Sequence, residues 1–422
     1  MKNPPKVNYG YIPPPFDTSH LKEIVPNNYN QAQALPSQFD WRTQNKVTSV
    51  KNQNPCGTCW IFGTTSVLES KVLINEGVTY DFSEQSVALC TDRSWTYLYD
   101  GKDKDGNSSC EPCNAGGNSW RAAETFIRKG AKLESCDPYN TDALCCDGSC
   151  QCDSCPGIKR VNGFRFVTDD KSQINLIKQA IYDNGPVTMA FYYDDAYLYN
   201  DLTYGKIYDC NTSTSTNHVV SIVGWDDNVP HVNTLGTGAW IVKNSWGTSW
   251  GNSGYFYLAY NSSSVTGISY LLYEDYNPNA TLYSWDESTM VDAYGFSDND
   301  AWMASVYTAQ SAEKITKVEF WVPSANASYQ LYIYDGKFGS TLLAQTSGTT
   351  NEMGYYSIPL STPVNLSQGQ TFTAAVKLTT PGYNYPIPIE YVVSGYEPPI
   401  QSDVTFVKNN DGDSWYDISN QG

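Results

Sequence analysis

The chain has 422 residues, too many for one hydrophobic core, so two domains with connecting segments are expected. Lys and Arg number 26 against 44 Asp and Glu, a formal charge of −18. A field of that sign repels phosphate backbones and anionic lipid, which excludes nucleic acid and membrane surfaces as partners.

Residues 1–34 are punctuated by Pro4, Pro5, Pro13, Pro14, Pro15 and Pro26. Consecutive prolines hold an extended backbone, so this arm should drape over something rather than fold alone. Its opening, MKNPPKVNYGYIPPPF, lacks the apolar core of a signal peptide. No apolar run approaches the ~18 residues of a membrane span, so no transmembrane segment is expected. The 12 cysteines suggest an oxidising compartment. A secreted protein whose cleaved leader precedes this sequence is the expectation.

From Leu35 to about Asp275 the chain bears Cys and Trp throughout. A helix is predicted from Cys59 to Glu76, with Phe62, Val67, Val72 and Leu73 on one side and Gly77 as its stop. A second is predicted over 119–129, opened by Ser119, and a third over 174–182. Strands follow at 218–225, 239–243 and 254–260. Helices first and strands later point to an α+β domain. Beyond DYNPN at 275–279 only short strands are predicted, at 314–322, 329–334, 372–378 and 387–393. Their Gly, Ser, Asn and Pro punctuation indicates an all-β sandwich. That last part holds no Cys and no His, so nucleophilic chemistry belongs to the first domain.

The run QNPCGTCW, Gln53 to Trp60, carries two cysteines three apart. Such a pair can be a redox couple, a metal site, or a nucleophile beside a disulfide. No strand pattern precedes it, and a helix follows Cys59, whose sulfur therefore sits at a positive dipole end that favours thiolate. Gly57 allows close backbone approach, and Gln53 supplies a side-chain amide within one loop of the sulfur. A thiolate needs a base, and only His20, His218 and His231 are available. His20 lies in the arm and His231 in a polar loop beside Pro230, whereas His218 opens the apolar run VVSIVGW and can be held on a strand end. Asn244, in KNSWGTSWG, is the candidate to orient the ring, and Trp246 can shield that bond from water.

The pieces Gln53-x5-Cys59-Trp60, FSEQSVALC, CNAGGNSW, NHVVSIVGW and KNSWGTSWGNSGYF stand in one order over residues 35–275. Together they resemble the papain family of cysteine peptidases. CGTCW departs from the family's C-G-[SA]-C-[WY] only at Thr58. The resemblance implies an α+β, two-lobed peptidase with a helical lobe and a β-barrel-like lobe. The expected division is 1–34, a proline-rich arm and possible propeptide, then 35–275 and a β-sandwich over 276–422. It further implies Cys59 as nucleophile, His218 as its proton partner, Asn244 orienting that ring, and Gln53 with the Cys59 N–H as the oxyanion hole. Gly116 or Gly117 would hold the backbone of an extended substrate, Trp246 would line the primed side, and Thr216 is placed at a substrate pocket. The family pairing would join Cys56 to Cys113, and Cys90 to Cys145 or Cys146. Setting Cys59 aside leaves 11 cysteines, so one more thiol stays free or binds another molecule.

His218 and Asn244 lie farther from Cys59 than the roughly 130–150 residues usual in the family. The excess maps to insertions at 91–112, 145–155 and 226–238, between motifs. CNAGG is one residue longer than the usual CNGG, which leaves open which glycine meets substrate. The cluster Cys145 to Cys155 is expected to be a disulfide-stapled loop, and DKDGN at 103–107 and NDGD at 410–413 tight turns rather than calcium loops. Sequons stand at Asn107, Asn211, Asn261, Asn279, Asn326 and Asn365. The closing GDSWYDIS and the position of the β domain resemble the lectin-like modules that follow papain-type peptidases in some bacteria and archaea. Its Tyr and Trp suit sugar stacking, so a glycan ligand stands beside a spacer role. The functional expectation is a monomeric, secreted endopeptidase acting on proteins or peptides, without metal or cofactor. An exopeptidase or transpeptidase on the same site, or an adhesion protein with an incidental peptidase, are the alternatives. The arm is a candidate cover for the cleft.

Overall fold

The structure is a computed structural model that describes residues 9–24, 26–27, 34–91, 113, 115–146, 154–262, 264–339, 341–393, 396 and 398–421. These fall into two compact units, one drawn from Met1–Pro14, Gln31–Asp92 and Thr96–Asn279, the other from Pro15–Asn30, Arg93–Trp95 and Ala280–Gly422. The insertion at 92–112, with Cys110 and the DKDGN run, lies outside the described residues, as do 147–153 of the cysteine cluster.

The first unit is organised around helix α1, Cys59–Glu76. One apolar side was expected, but every residue from Cys59 to Leu73 is buried, because α1 packs at once on strands and on other helices. Gly77 ends it in the left-handed region, φ 71°, donating its N–H to Leu73 O. Helices α2 (Glu84–Cys90), α3 (Ser119–Lys129), α4 (Thr141–Cys146) and α5 (Ile174–Asn184) follow. Helix α3 starts at Ser119 as predicted, but its cap is Asn118, whose side chain accepts from Arg121 N.

Among the described residues the strands of this unit are β1 (Gln38–Asp40), β2 (Lys159–Thr168), β3 (Val187–Phe191), β4 (Leu198–Asp201), β5 (Gly205–Tyr208), β6 (His218–Pro230), β7 (Thr237–Lys243), β8 (Tyr255–Ala259) and β9 (Val265–Asp275). Their order is β2-β9-β3-β6-β7-β8-β5-β4, with β1 added to β6. Strands β6 and β7 are antiparallel, Ser221 opposite Lys243. The first residue of β6, His218, and the residue after β7, Asn244, are thereby brought to one end of the sheet. The inserted stretch 226–238 extends β6 and β7 into a longer hairpin, with His231 in the loop between them. Asp226 pairs with Gln38 and Pro230 with Thr237, and that pairing satisfies backbone groups a loop would leave to water.

The second unit is a β-sandwich. One layer is the pair β12 (Glu313–Val322) and β15 (Gly354–Leu366). The other has the order β14-β13-β16-β11-β18-β19, formed by β11 (Asp300–Thr308), β13 (Ser328–Asp335), β14 (Leu342–Thr349), β16 (Thr371–Thr379), β18 (Thr405–Lys408) and β19 (Tyr416–Asp417). Phe320, Val322 and Leu360 of the first layer and Leu331, Ile333, Phe372 and Leu378 of the second share one buried cluster. Strand β10 (Asp292–Tyr294) pairs with β17, which spans only Ile387–Ile389. The strand predicted to reach residue 393 stops there, because its partner β10 offers only three residues to pair with; the next residue, Glu390, accepts the N–H groups of Glu287 and Ser288. Part of the arm belongs to this unit, and it is not all extended: Ser19–Lys22 forms a 3-10 turn. His20 stacks on Tyr383 at 3.8 Å and sits 3.0 Å from Pro323 O.

Candidate active site

Cys59 opens α1 and is fully buried. Its Sγ accepts the N–H of Val219, the neighbour of His218, at 3.3 Å, so α1 and the first turn of β6 meet at the sulfur. His218 Nε2 lies 2.8 Å from Asn244 Oδ1. An amide oxygen can only accept, so Nε2 carries the proton and Nδ1 is the basic nitrogen. Nδ1 is buried without a hydrogen-bond partner among the described residues. Trp246 stacks on the imidazole at 4.7 Å and 20° and is itself backed by Trp250 and Tyr193. The indole thus lies over the imidazole that bonds Asn244.

Gln53 is anchored through all its polar groups. Its N–H donates to Ser245 O at 2.8 Å and its Oε1 accepts from Ser245 Oγ at 2.7 Å. Nε2 donates to Cys56 O at 2.8 Å and to Tyr9 O at 3.1 Å. The loop is tied to the CNAGG segment by the Cys56–Cys113 disulfide, the pairing the resemblance implied.

The Tyr9 carbonyl is the most informative atom in the cleft. It receives Gln53 Nε2 and also the Cys59 backbone N–H, at 3.4 Å. The Tyr9 ring packs against Trp246 at 4.9 Å and His218 at 5.2 Å. Farther along the arm, Gly117 N donates to Gly10 O and Ile12 N to Gly117 O, both at 2.8 Å, a parallel bridge centred on the buried Tyr11. Asn118 Nδ2 adds a bond to Ile12 O. Gly117 therefore makes the backbone contact, while Gly116 lies beside it with φ 69°. A Cβ on Gly117 would sit 2.7 Å from the Trp60 ring, so only glycine fits. Gly10 is equally constrained: a Cβ there would fall 1.8 Å from Gly57 O. Thr216 is half-buried in the coil before β6, and no hydrogen bond among the described residues joins it to Cys59, His218 or Asn244.

Beneath the arm Cys59 and His218 are both fully buried. Burial pushes the Cys59 thiol up to about 12 and the His218 imidazole down to about 4 despite its bond to Asn244. Burial thus favours the neutral form of each.

Several residues at the site escaped the sequence reading. Ser245 stands next to Asn244 in KNSWG yet serves Gln53. Under Asn244 and Ser245 lies a buried charge cluster. Lys51 Nζ bridges Glu69 at 2.9 Å and Glu84 at 3.0 Å, and Lys243 reaches Glu69 through Thr48, at 3.1 and 2.7 Å. Lys51 and Lys243 stand two residues before Gln53 and Ser245, a spacing that was the available signal. Cys136 pairs with Cys155, Cys90 is disulfide-bonded, and Cys210 is a second free, buried thiol. His231 Nε2 donates to Gly238 O inside the β6–β7 hairpin. At 410–413, Asp413 accepts the Asn410 N–H, a tight turn. Among the described residues no group of three or more His, Cys, Asp or Glu is arranged to hold a metal ion, and no helix is long and apolar enough to cross a membrane.

Comparison with known proteins agrees with this geometry. The family model described as papain family cysteine protease matches residues 35–274, and one described as a lectin-like domain matches 282–421. A cathepsin L-like proteinase of Fasciola hepatica is 31% identical over 253 residues, 60% of this chain and 68% of the relative. Cysteine proteinase 3 of Entamoeba histolytica is 35% identical over 258 residues, 60% of this chain and 70% of the relative. Among solved structures, the clostridial cysteine protease Cwp84 after propeptide cleavage superposes with a TM-score of 0.77 at 24% identity, covering 91% of this chain and 96% of that one. The protease and lectin-like domains of Cwp84, a surface-layer-associated protein of Clostridium difficile, superpose at 0.76 and 22% identity, over 92% and 86%. At these identities the likeness shows a shared fold.

Proposed function

Because the chain belongs to the papain family of cysteine proteases and carries a lectin-like domain, we propose that it is a secreted endopeptidase held closed by its own N-terminal arm, with domains at 1–34, 35–275 and 276–422. Cys59 Sγ attacks the carbonyl carbon of the scissile bond, and its proton passes to His218 Nδ1. His218 returns that proton to the departing amine, and a water deprotonated by the same nitrogen then hydrolyses the thioester. Asn244 keeps the ring oriented through Nε2–H, under cover of Trp246. Gln53 Nε2 and the Cys59 N–H receive the oxyanion, each donor worth roughly 3–4 kcal/mol in comparable sites. Gly117 pairs with the substrate backbone where it now pairs with the arm, Gly116 gives it room, and Thr216 is kept as a candidate pocket wall.

One observation carries this reading: a peptide carbonyl, that of Tyr9, lies on both donors at once, 3.1 Å from Gln53 Nε2 and 3.4 Å from Cys59 N. The same contact is the brake, since the arm takes the donors a substrate needs. The test is cleavage of an internally quenched peptide, with labelling by a thiol-directed epoxide, before and after the arm is cut ahead of Leu35; cutting should raise both. Cys59→Ala should abolish both, and labelling that survives would assign the chemistry to another thiol. Release of dipeptides from free termini alone would put the exopeptidase reading in place of this one.

The lectin-like domain is read as a carbohydrate-binding module. Half-buried Tyr332, Tyr334, Phe338 and Trp415 pack with Trp302 over Ala304 and Ala375 on the six-stranded sheet, and Lys408 Nζ lies 5.0 Å from the Trp302 ring. Aromatic faces with polar neighbours suit sugar stacking. A glycan array probed with the full chain and with Trp415→Ala tests it; no glycan bound by the full chain ends the reading. Disulfides at Cys56–Cys113 and Cys136–Cys155 support secretion.

A further inference from the structure

Thr58 is the one position where CGTCW leaves the family signature, and its hydroxyl behaves unusually for its place. It is the N-cap of α1 yet makes no side-chain cap bond, although Thr at that position ordinarily turns its oxygen to the free N–H groups of the first turn. Its Oγ1 instead lies 2.8 Å from the Tyr139 hydroxyl. That hydroxyl in turn donates to the Gln53 backbone carbonyl at 3.0 Å. A phenol has one proton. Since it goes to the carbonyl, Thr58 is the donor to Tyr139, and the chain runs Thr58 to Tyr139 to Gln53. Thr58 is fully buried, so water does not compete for the first link. The Tyr139 ring stands edge-on to Phe62 at 4.9 Å, and its N–H donates to Glu134 at 2.7 Å.

Both ends of this chain belong to the pair of donors on the Tyr9 carbonyl. Gln53 carries the side-chain amide, and the peptide that follows Thr58 carries the Cys59 N–H. We propose that the Tyr139 hydroxyl is a positioning group that sets the spacing of the two oxyanion donors, and that Thr58 is retained to hold it. The proposal rests on the oxyanion assignment made above. The Gln53 carbonyl keeps a second donor, Cys56 N at 3.0 Å, so loss of the phenol loosens the turn without unmaking it.

The test measures kcat and KM of the chain, its arm released by cutting before Leu35, on an internally quenched peptide, per active site titrated with a thiol-directed epoxide, which removes misfolded molecules from the count. Tyr139→Phe should lower kcat about 10-fold, below the ~100- to 1,000-fold of a lost donor, with KM little changed. Thr58→Val should match it, and Thr58→Ser should restore turnover. In the Gln53→Ala background, Tyr139→Phe should change kcat less than about two-fold, because one residue acts through the other. Full turnover in Tyr139→Phe, a Thr58→Ser variant as slow as Thr58→Val, or a loss that multiplies in full on Gln53→Ala would each overturn the proposal. Unchanged kcat in Gln53→Ala would remove the oxyanion assignment and this proposal together, whereas a slow Gln53→Ala beside a normal Tyr139→Phe removes the proposal alone.

Discussion

In the papain-family unit the half-buried Lys51 ammonium joins the buried Glu69 and Glu84 at 2.9 and 3.0 Å. In the lectin-like unit the buried Glu390 carboxylate is held by Ser288 N at 2.6 Å, Ser288 Oγ at 2.8 Å and Glu287 N at 3.2 Å. The first arrangement binds opposite charges that cannot be removed singly; the second satisfies one carboxyl with neutral donors. Burial and Asp286 push the Glu390 carboxyl up, and burial pushes Glu84 up as well, against the pull of Lys51. The comparison teaches that burial of a carboxyl is not one kind of event. Beneath Asn244 and Ser245 it gathers carboxyls around one lysine as a charged platform, and in the sandwich it sets one carboxyl against N–H and O–H donors.

The sharpest way to break this contrast is Lys51→Met, which strands two buried carboxylates. We expect a loss of about 3–5 kcal/mol in urea unfolding of the full chain; a loss near zero would mean the cluster is not a charged platform. Next comes Gln53→Ala, which should cut kcat on the order of 100- to 1,000-fold with KM nearly kept, seen by steady-state kinetics. A smaller effect concerns pH. His218 titrates near 4 in the folded chain against an ordinary 6.5. The unfolded chain therefore binds the extra proton first, and stability should fall as pH drops from about 6.5 to about 4. Cys59, held up to about 12 from 9.0, should cost stability as pH rises from 9.0 upward. Unfolding midpoints of wild type and His218→Gln across the acid range check the first: the variant should lack that part of the slope. Smallest is Glu390→Gln, which keeps a neutral acceptor and should cost about 1 kcal/mol, also by urea unfolding; a loss as large as that of Lys51→Met would erase the distinction.

Helix α1 was legible from end to end, Cys59 to the stop at Gly77, because periodicity and a glycine terminator are local signals. Asn118 as the cap of α3 was missed by one residue, since Asn and Ser both cap and only the accepted bond from Arg121 N decides between them. The run of β6 to Pro230 was not legible, because what extends it is pairing with β1 and β7, from elsewhere in the chain. At the cleft, motifs singled out Cys59, His218, Asn244 and Gln53 as a set, and the structure brings them into one place. Ser245 and Tyr139 lacked any such mark: their hydroxyls meet Gln53 across 192 and 86 residues of chain.

By itself the sequence determined the α+β and all-β divisions, the first helix, the family and the residues able to do thiol chemistry, because these follow from residue type, local period and motif spacing. Only the tertiary structure decided that Gly117 makes the backbone contact, that the Tyr9 carbonyl rests on the Gln53 and Cys59 donors, and that Lys51, Glu69 and Glu84 share one buried cluster. Those are meetings of segments far apart along the chain, selected by packing and by the need to satisfy every buried polar group at once.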